Sequence, residues 1–189
     1  MSRAYRINVR ETRNRTICAE DHVRTQLEIL EVLPPEQMAG LLADELERRG
    51  FERCGTRLSR TQNGVTVTVE TTTAIVTVAA DASEQTTIEA ERSDRAYDDA
   101  GPHAKVVREN LKKMLEKDID RKADEKKAGL QTKVTDRLEG ELNDVRQELD
   151  QVVHRVTAEA LKRKAAQMGQ IKEMTEDPQA GSLTIVVEV

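Results

Sequence analysis

The sequence predicts an α+β protein: an antiparallel sheet with a short packed helix and a projecting antiparallel helical hairpin, a coiled-coil-like arm. Three observations predict it. Through much of the first 100 residues apolar side chains alternate with polar ones, the period of a half-buried strand. From His103 to about Met168 there is no proline, and apolar residues recur at three and four positions, the period of a helix. The closing "SLTIVVEV" returns to a period of two. The organisation expected is a β-rich domain over 1–100 with a helix near 35–49, a helical hairpin arm over 101–169, and a C-terminal β-hairpin over 170–189 that returns to the first sheet.

Each element has a local reason. Tyr5, Ile7 and Val9 alternate with Arg6, Asn8 and Arg10, and Val23, Thr25, Leu27 and Ile29 alternate in the same way. Pro34 and Pro35 stop this strand. Pro35 suits a first helical position, where its missing N–H costs nothing. Met38, Leu41, Leu42 and Leu46 then form one helical stripe, and Gly50 is placed to close the helix in the left-handed conformation. Beyond it "FERCGTRLSR" and "VTVTVE" flank "TQNG", where Asn63-Gly64 signals a tight hairpin. "AIVTVAA" follows a turn at Thr71–Thr73, and "QTTIEAE" is a weaker strand.

Gly101 and Pro102 mark the entry to the arm. Leu142, Val145, Leu149, Val152 and Val156 follow the spacing of a coiled-coil seam. Folding the arm about Ala128-Gly129 sets Ile119 against Leu138, Leu115 against Leu142, Leu111 against Val145 and Val107 against Leu149. A regular repeat gives such pairs about some centre. This centre falls on the one glycine of "DRKADEKKAGLQTK", where a turn is cheapest. The alternative is a continuous helix of about 100 Å, paired with a second copy. After the arm Gly169 ends the helix, Gln170 begins a strand, "EDPQAG" turns, and Leu183, Ile185, Val187 and Val189 form an apolar row that needs burial.

Composition narrows the function. Charged residues make up 34% of the chain and the net charge is −5. An acidic balance argues against broad nucleic-acid binding, which needs a basic face, and the chain has no Trp, one Phe and two Tyr to stack on bases. No apolar run reaches the roughly 20 residues of a membrane helix. "MSRAYRINVRETRNR" lacks a secretory apolar core, and Cys18 and Cys54 match no CxxC pattern. The expectation is a cytoplasmic protein with free thiols, binding neither nucleic acid nor membrane.

Few residues suggest chemistry. Asp98, Asp99 and His103 in "YDDAGPH" could hold a metal ion, but a carboxylate capping the helix that Pro102 opens explains them more simply. Tyr97 is expected to plug the seam between arm and sheet. Arg3, Arg6, Arg10, Arg13 and Arg15 make a basic strand. Arg6 and Arg10 share a face that could meet an anion or an acidic partner; a solvated face paired with Glu28 and its neighbours is the plainer reading. No phosphate loop, dinucleotide fingerprint or catalytic constellation is present in the sequence, so neither an enzyme nor a cofactor is expected.

Five stretches, "LEILEVLPPEQMAGLLADELERRGFER", "GVTVTVE", "RAYDDAGP", "VTDRLEGELNDVRQELDQVVHRV" and "RVTAEALKRKAAQMGQIKEMTEDPQAGSLTIVVEV", together resemble the small accessory-domain proteins of bacterial FtsH ternary systems. These are encoded beside an FtsH-like AAA+ ATPase and von Willebrand A-type or MoxR-type partners. The resemblance spans almost the whole chain. It implies a non-catalytic adaptor or scaffold in a conflict or stress response, with an FtsH-like ATPase or a von Willebrand A protein as partner. The competing expectations are a self-assembling coiled-coil protein that forms a homo-oligomer through its arm and, below it, an anion or small-ligand module.

Overall fold

The computed structural model describes residues 5–97, 101–177 and 182–188. In chain order it contains β1 (Tyr5–Gln26), α1 (Pro35–Arg48), β2 (Glu52–Cys54), β3 (Arg57–Gln62), β4 (Val65–Glu70), β5 (Ile75–Ala96), α2 (Pro102–Met168), β6 (Gln170–Asp177) and β7 (Ser182–Glu188). Strands β1 to β5 form one sheet in the order β1-β5-β4-β3-β2. The class is α+β, as the sequence predicts.

Two expectations fail. There is no helical hairpin: α2 is one helix of 67 residues, and Ala128 and Gly129 lie inside it. Long runs of strong helix formers on both sides carry a glycine at a cost of only about 1 kcal/mol relative to alanine. The apolar row of the first half, which could have paired with the second, packs on strands instead. Nor do the last strands rejoin the first sheet. β6 and β7 form a two-stranded sheet of their own. Leu183, Ile185 and Val187 stay half-buried, and Val189 lies outside the described residues.

The chain divides into two compact units, residues 1–20 with 81–135 and residues 21–80 with 136–189. In the first, β1 and β5 run side by side. As β1 advances from Arg6 through Arg10 to Cys18, its side-chain partners on β5 retreat from Ser93 through Glu89 to Ser83, so the pair is antiparallel. Odd positions of β1 and even positions of β5 face α2. Ile7, Ala96, Ala104, Val107 and Leu111 form one buried cluster, and Ile88, Ala90, Leu115, Ile119 and Ala123 another; Val9 packs against both.

The sequence splits each of these 22-residue strands into shorter pieces because their middles are charged. The structure supplies the reason they stay extended. Arg13 and Arg15, on the α2 side of β1, reach Glu116 at 3.1 Å and Asp120 at 2.6 Å. From β5, Arg92 pairs with Asp118, while Lys122 donates to the Glu89 carbonyl at 2.6 Å and Lys126 to the Thr86 hydroxyl.

In the second unit the turn and cap signals hold. The Gly50 N–H bonds the Glu47 carbonyl and the Phe51 N–H the Leu46 carbonyl, with Gly50 at φ +84°. This is the paired closure that a left-handed glycine permits. Asn63 and Gly64 both have positive φ and join β3 to β4 with Gln62 opposite Val65. One face of β3, β4 and β5 buries Leu58, Val65, Val67, Val69, Val76, Val78 and Ala80. The opposite face is polar, with Ser59, Thr68 and Thr77 in one cross-strand row. Met38, Leu41, Leu42 and Leu46 of α1 are buried, as are Leu138, Val145, Leu149, Val152 and Val156 of α2.

Candidate interaction surfaces

The eight seam residues fall on one winding stripe of α2 that faces inward. Val107, Leu111, Leu115, Ile119, Leu138, Val145 and Leu149 are buried and Leu142 is half-buried. In the first unit the stripe meets strands, not another helix. The side of α2 that faces solvent is charged, with Lys105, Glu109, Lys112, Lys113, Lys117, Arg121 and Glu125 exposed.

The basic strand divides between two faces. Arg13 and Arg15 turn to α2, where they pair with carboxylates. Arg6 and Arg10 share the outer face, but they are engaged by β5 and not by Glu28. Arg10 pairs with Glu89, whose hydrogen bond raises the guanidinium's already high pKa, and Arg6 donates to the Ser93 hydroxyl at 3.1 Å. Arg3, Asp98 and Asp99 lie outside the described residues. His103 stands in the first turn of α2, where its Nδ1 accepts the Tyr97 N–H at 3.5 Å. Tyr97 does not plug a seam: it is 75% exposed, its ring tilted against His103 at a centroid distance of 5.3 Å. Among the described residues no cluster of three His, Cys, Asp or Glu is arranged to hold a metal ion.

Two polar centres in the second unit lie outside the residues expected from the sequence. At the first, the Arg60 guanidinium holds Glu148 at 2.9 and 2.5 Å, donates to the Arg49 carbonyl at 3.0 Å and lies 4.6 Å over the Phe51 ring. The Glu148 hydrogen bond is the largest cause raising its pKa, against desolvation. At the second, Glu45 is 3% exposed and lies 3.0 Å from Arg49, 3.3 Å from Arg48 and 3.8 Å from Arg155. A glutamate inside an apolar helical stripe, four residues before an arginine, is the available sequence signal for it.

Two cavities in this unit flank α1. One of about 460 Å³ is lined by Leu27, Ile29, Met38, Leu42 and the turn Thr71–Ala74. One of about 270 Å³ lies beside Glu45, with Arg48, Arg155 and Lys162 on its wall. Both are open to solvent. Their walls offer packing and charge, the materials of a contact surface.

No helix among the described residues is long and apolar enough to cross a membrane. No curated protein and no solved structure matches the chain. A family model described as FtsH ternary system domain X5 matches it over residues 1–189, and the chain belongs to that family.

Proposed function

We propose that this member of the X5 family is a non-enzymatic adaptor, an accessory component of an FtsH-like AAA+ ATPase system that works through protein–protein contact. The observation that carries the reading is the family match across all 189 residues. The chemistry of the side chains supports the same reading. The carboxylates with the least exposure among the ion pairs are committed to arginines, Glu45 to Arg49, Asp118 to Arg92, Glu70 to Arg57 and Glu148 to Arg60. Paired in this way, they serve the fold. What the chain offers outward is the charged ridge of α2 and the polar face of the sheet, surfaces suited to a partner with complementary charge.

The competing reading, self-assembly through the arm, loses support because its seam residues are buried within the chain. The experiment that tests the adaptor reading is co-purification. A tagged chain expressed with its neighbouring genes should retain the FtsH-like ATPase or a von Willebrand A protein and should change the ATPase rate. Retention should weaken as salt is raised, because exposed charges are screened. Failure to retain any of these products, with an unchanged ATPase rate, would overturn the proposal.

A further inference from the structure

We infer that β7 is a docking edge for a second copy of this chain. Among the described residues no strand pairs with its other side, which would pair antiparallel with β7 of the partner subunit, giving a four-stranded sheet β6-β7-β7-β6. The inference stands on the C-terminal hairpin and does not rest on the adaptor reading.

Three observations carry it. First, the hairpin is incomplete by itself. Its register sets Ile171 opposite Val187 and Met174 opposite Ile185, so these four and Leu183 share one apolar face. None of the five is buried: Met174 is 48% exposed, and Ile171, Leu183, Ile185 and Val187 are half-buried. Isolated two-stranded hairpins are marginal in water, and independent stability takes further strands with an apolar face or a helix to pack on.

Second, the two edges of the hairpin differ. By sequence β6, QIKEMTED, is rich in charge and acidic overall, a composition that resists strand addition. β7 carries one charge, Glu188, and Lys172 of the same hairpin neutralises it at 2.7 Å. The edge free of net charge is therefore the one whose unpaired backbone groups can accept a strand.

Third, β7 is complementary to itself. A two-fold axis at Ile185 sets Ile185 against its own copy, Leu183 against Val187, Thr184 against Val186 and Glu188 against Ser182. On the face that carries Leu183, Ile185 and Val187 apolar residues meet apolar ones, and no like charges are opposed. An axis through β6 would instead bring together two strands of net negative charge. A self-complementary patch closes on a dimer and stops there.

The test is sedimentation of the full chain over a wide concentration range. A monomer–dimer equilibrium is expected. Thr184→Lys and Val186→Glu, made singly, should each weaken association tenfold or more, by placing a charge on the apolar edge. Combined in one chain they should restore it, because the lysine of each copy then lies opposite the glutamate of the other. Circular dichroism of each variant checks that the remainder of the fold is kept, since both positions are exposed. A monomer at every concentration overturns the inference and leaves the edge to a strand of a different protein. A dimer that ignores both single variants overturns it equally, as does a double variant no tighter than the singles.

Discussion

In the first compact unit the buried positions of α2 from Val107 to Ala123 recur every four residues, at Val107, Leu111, Leu115, Ile119 and Ala123. In the second those from Val145 to Val156 alternate four and three, at Val145, Leu149, Val152 and Val156. The polar ties keep the same two rhythms. Glu116 and Asp120 reach β1, and Asp118, Lys122 and Lys126 reach β5, all at intervals of four. Glu141, Glu148 and Arg155 reach Asn63, Arg60 and Glu45 at intervals of seven.

At 3.6 residues per turn a four-residue step advances about 40° around the helix, whereas a heptad drifts by only about 20°. A stripe that winds so fast can follow only a strongly twisted partner, and two-stranded ribbons twist more than wide sheets. The first unit supplies such a ribbon in β1 and β5. In the second unit the strands that α2 meets belong to the wider part of the sheet, and the stripe there is nearly straight. One helix thus reads two surfaces, and its residue spacing records the shape of each.

The comparison can be broken at its apolar rows. Leu115 is fully buried in the four-residue row, and Leu115→Ala should cost about 3 kcal/mol. Leu138→Ala, equally deep in the second unit, should cost about the same. Denaturant midpoints measure both. A loss below about 1 kcal/mol at either site would mean that its row is not a packed core. The polar ties should separate the units. Arg60 and Glu148 are mostly shielded, so Glu148→Ala should cost about 2 kcal/mol by leaving a guanidinium without its carboxylate. Asp120→Ala, at an exposed pair of the first unit, should stay within about 0.5 kcal/mol. Equal costs for the two would remove that distinction.

Gly129→Ala sharpens the comparison from the middle of the helix, where an added β-carbon meets nothing within 4 Å. In a continuous helix the change should stabilise by about 1 kcal/mol. In a hairpin turn that relies on glycine it should destabilise, so the sign alone decides. The smallest effect concerns acid. A hydrogen bond from Arg92 holds Asp118 below the ordinary aspartate range. A carboxylate whose pKa falls on folding contributes stability above that range and loses it as pH falls through the folded value. Asp118→Asn should therefore lower stability slightly at neutral pH and leave it unchanged well below about pH 4, with the difference fading in high salt. Thermal melts across pH would detect it, and a pH-independent difference would refute the linkage.

What could be read from the sequence was local. The α1 stripe with its Gly50 closure and the Asn63-Gly64 turn follow from neighbouring residues alone, and the structure reproduces each. The long strands did not announce themselves, because Glu11, Arg13 and Arg15 look solvated until α2 supplies Glu116 and Asp120. The hairpin expectation failed on pattern. Equal pairing about Gly129 suits any near-regular repeat, while the change of spacing, from every four residues over Val107–Ala123 to four-and-three over Leu138–Val156, was the stronger signal. Two helices that pack together share one rhythm. Arg60 was hidden for another reason: its partners come from α2 and from the end of α1, far away in sequence.

The Asn63-Gly64 turn has a consequence in time. Asparagine before glycine is the pairing in which the next backbone nitrogen most readily attacks the side-chain amide, so this turn is the place where the chain should age chemically. The Asn63 amide now donates to Glu141 at 3.0 Å. Conversion to aspartate would replace that donor with a carboxylate and set two negative charges face to face. Peptide mapping of stored protein would show whether deamidation concentrates at Asn63. If it does, the tie between this turn and α2 is one the protein loses with age.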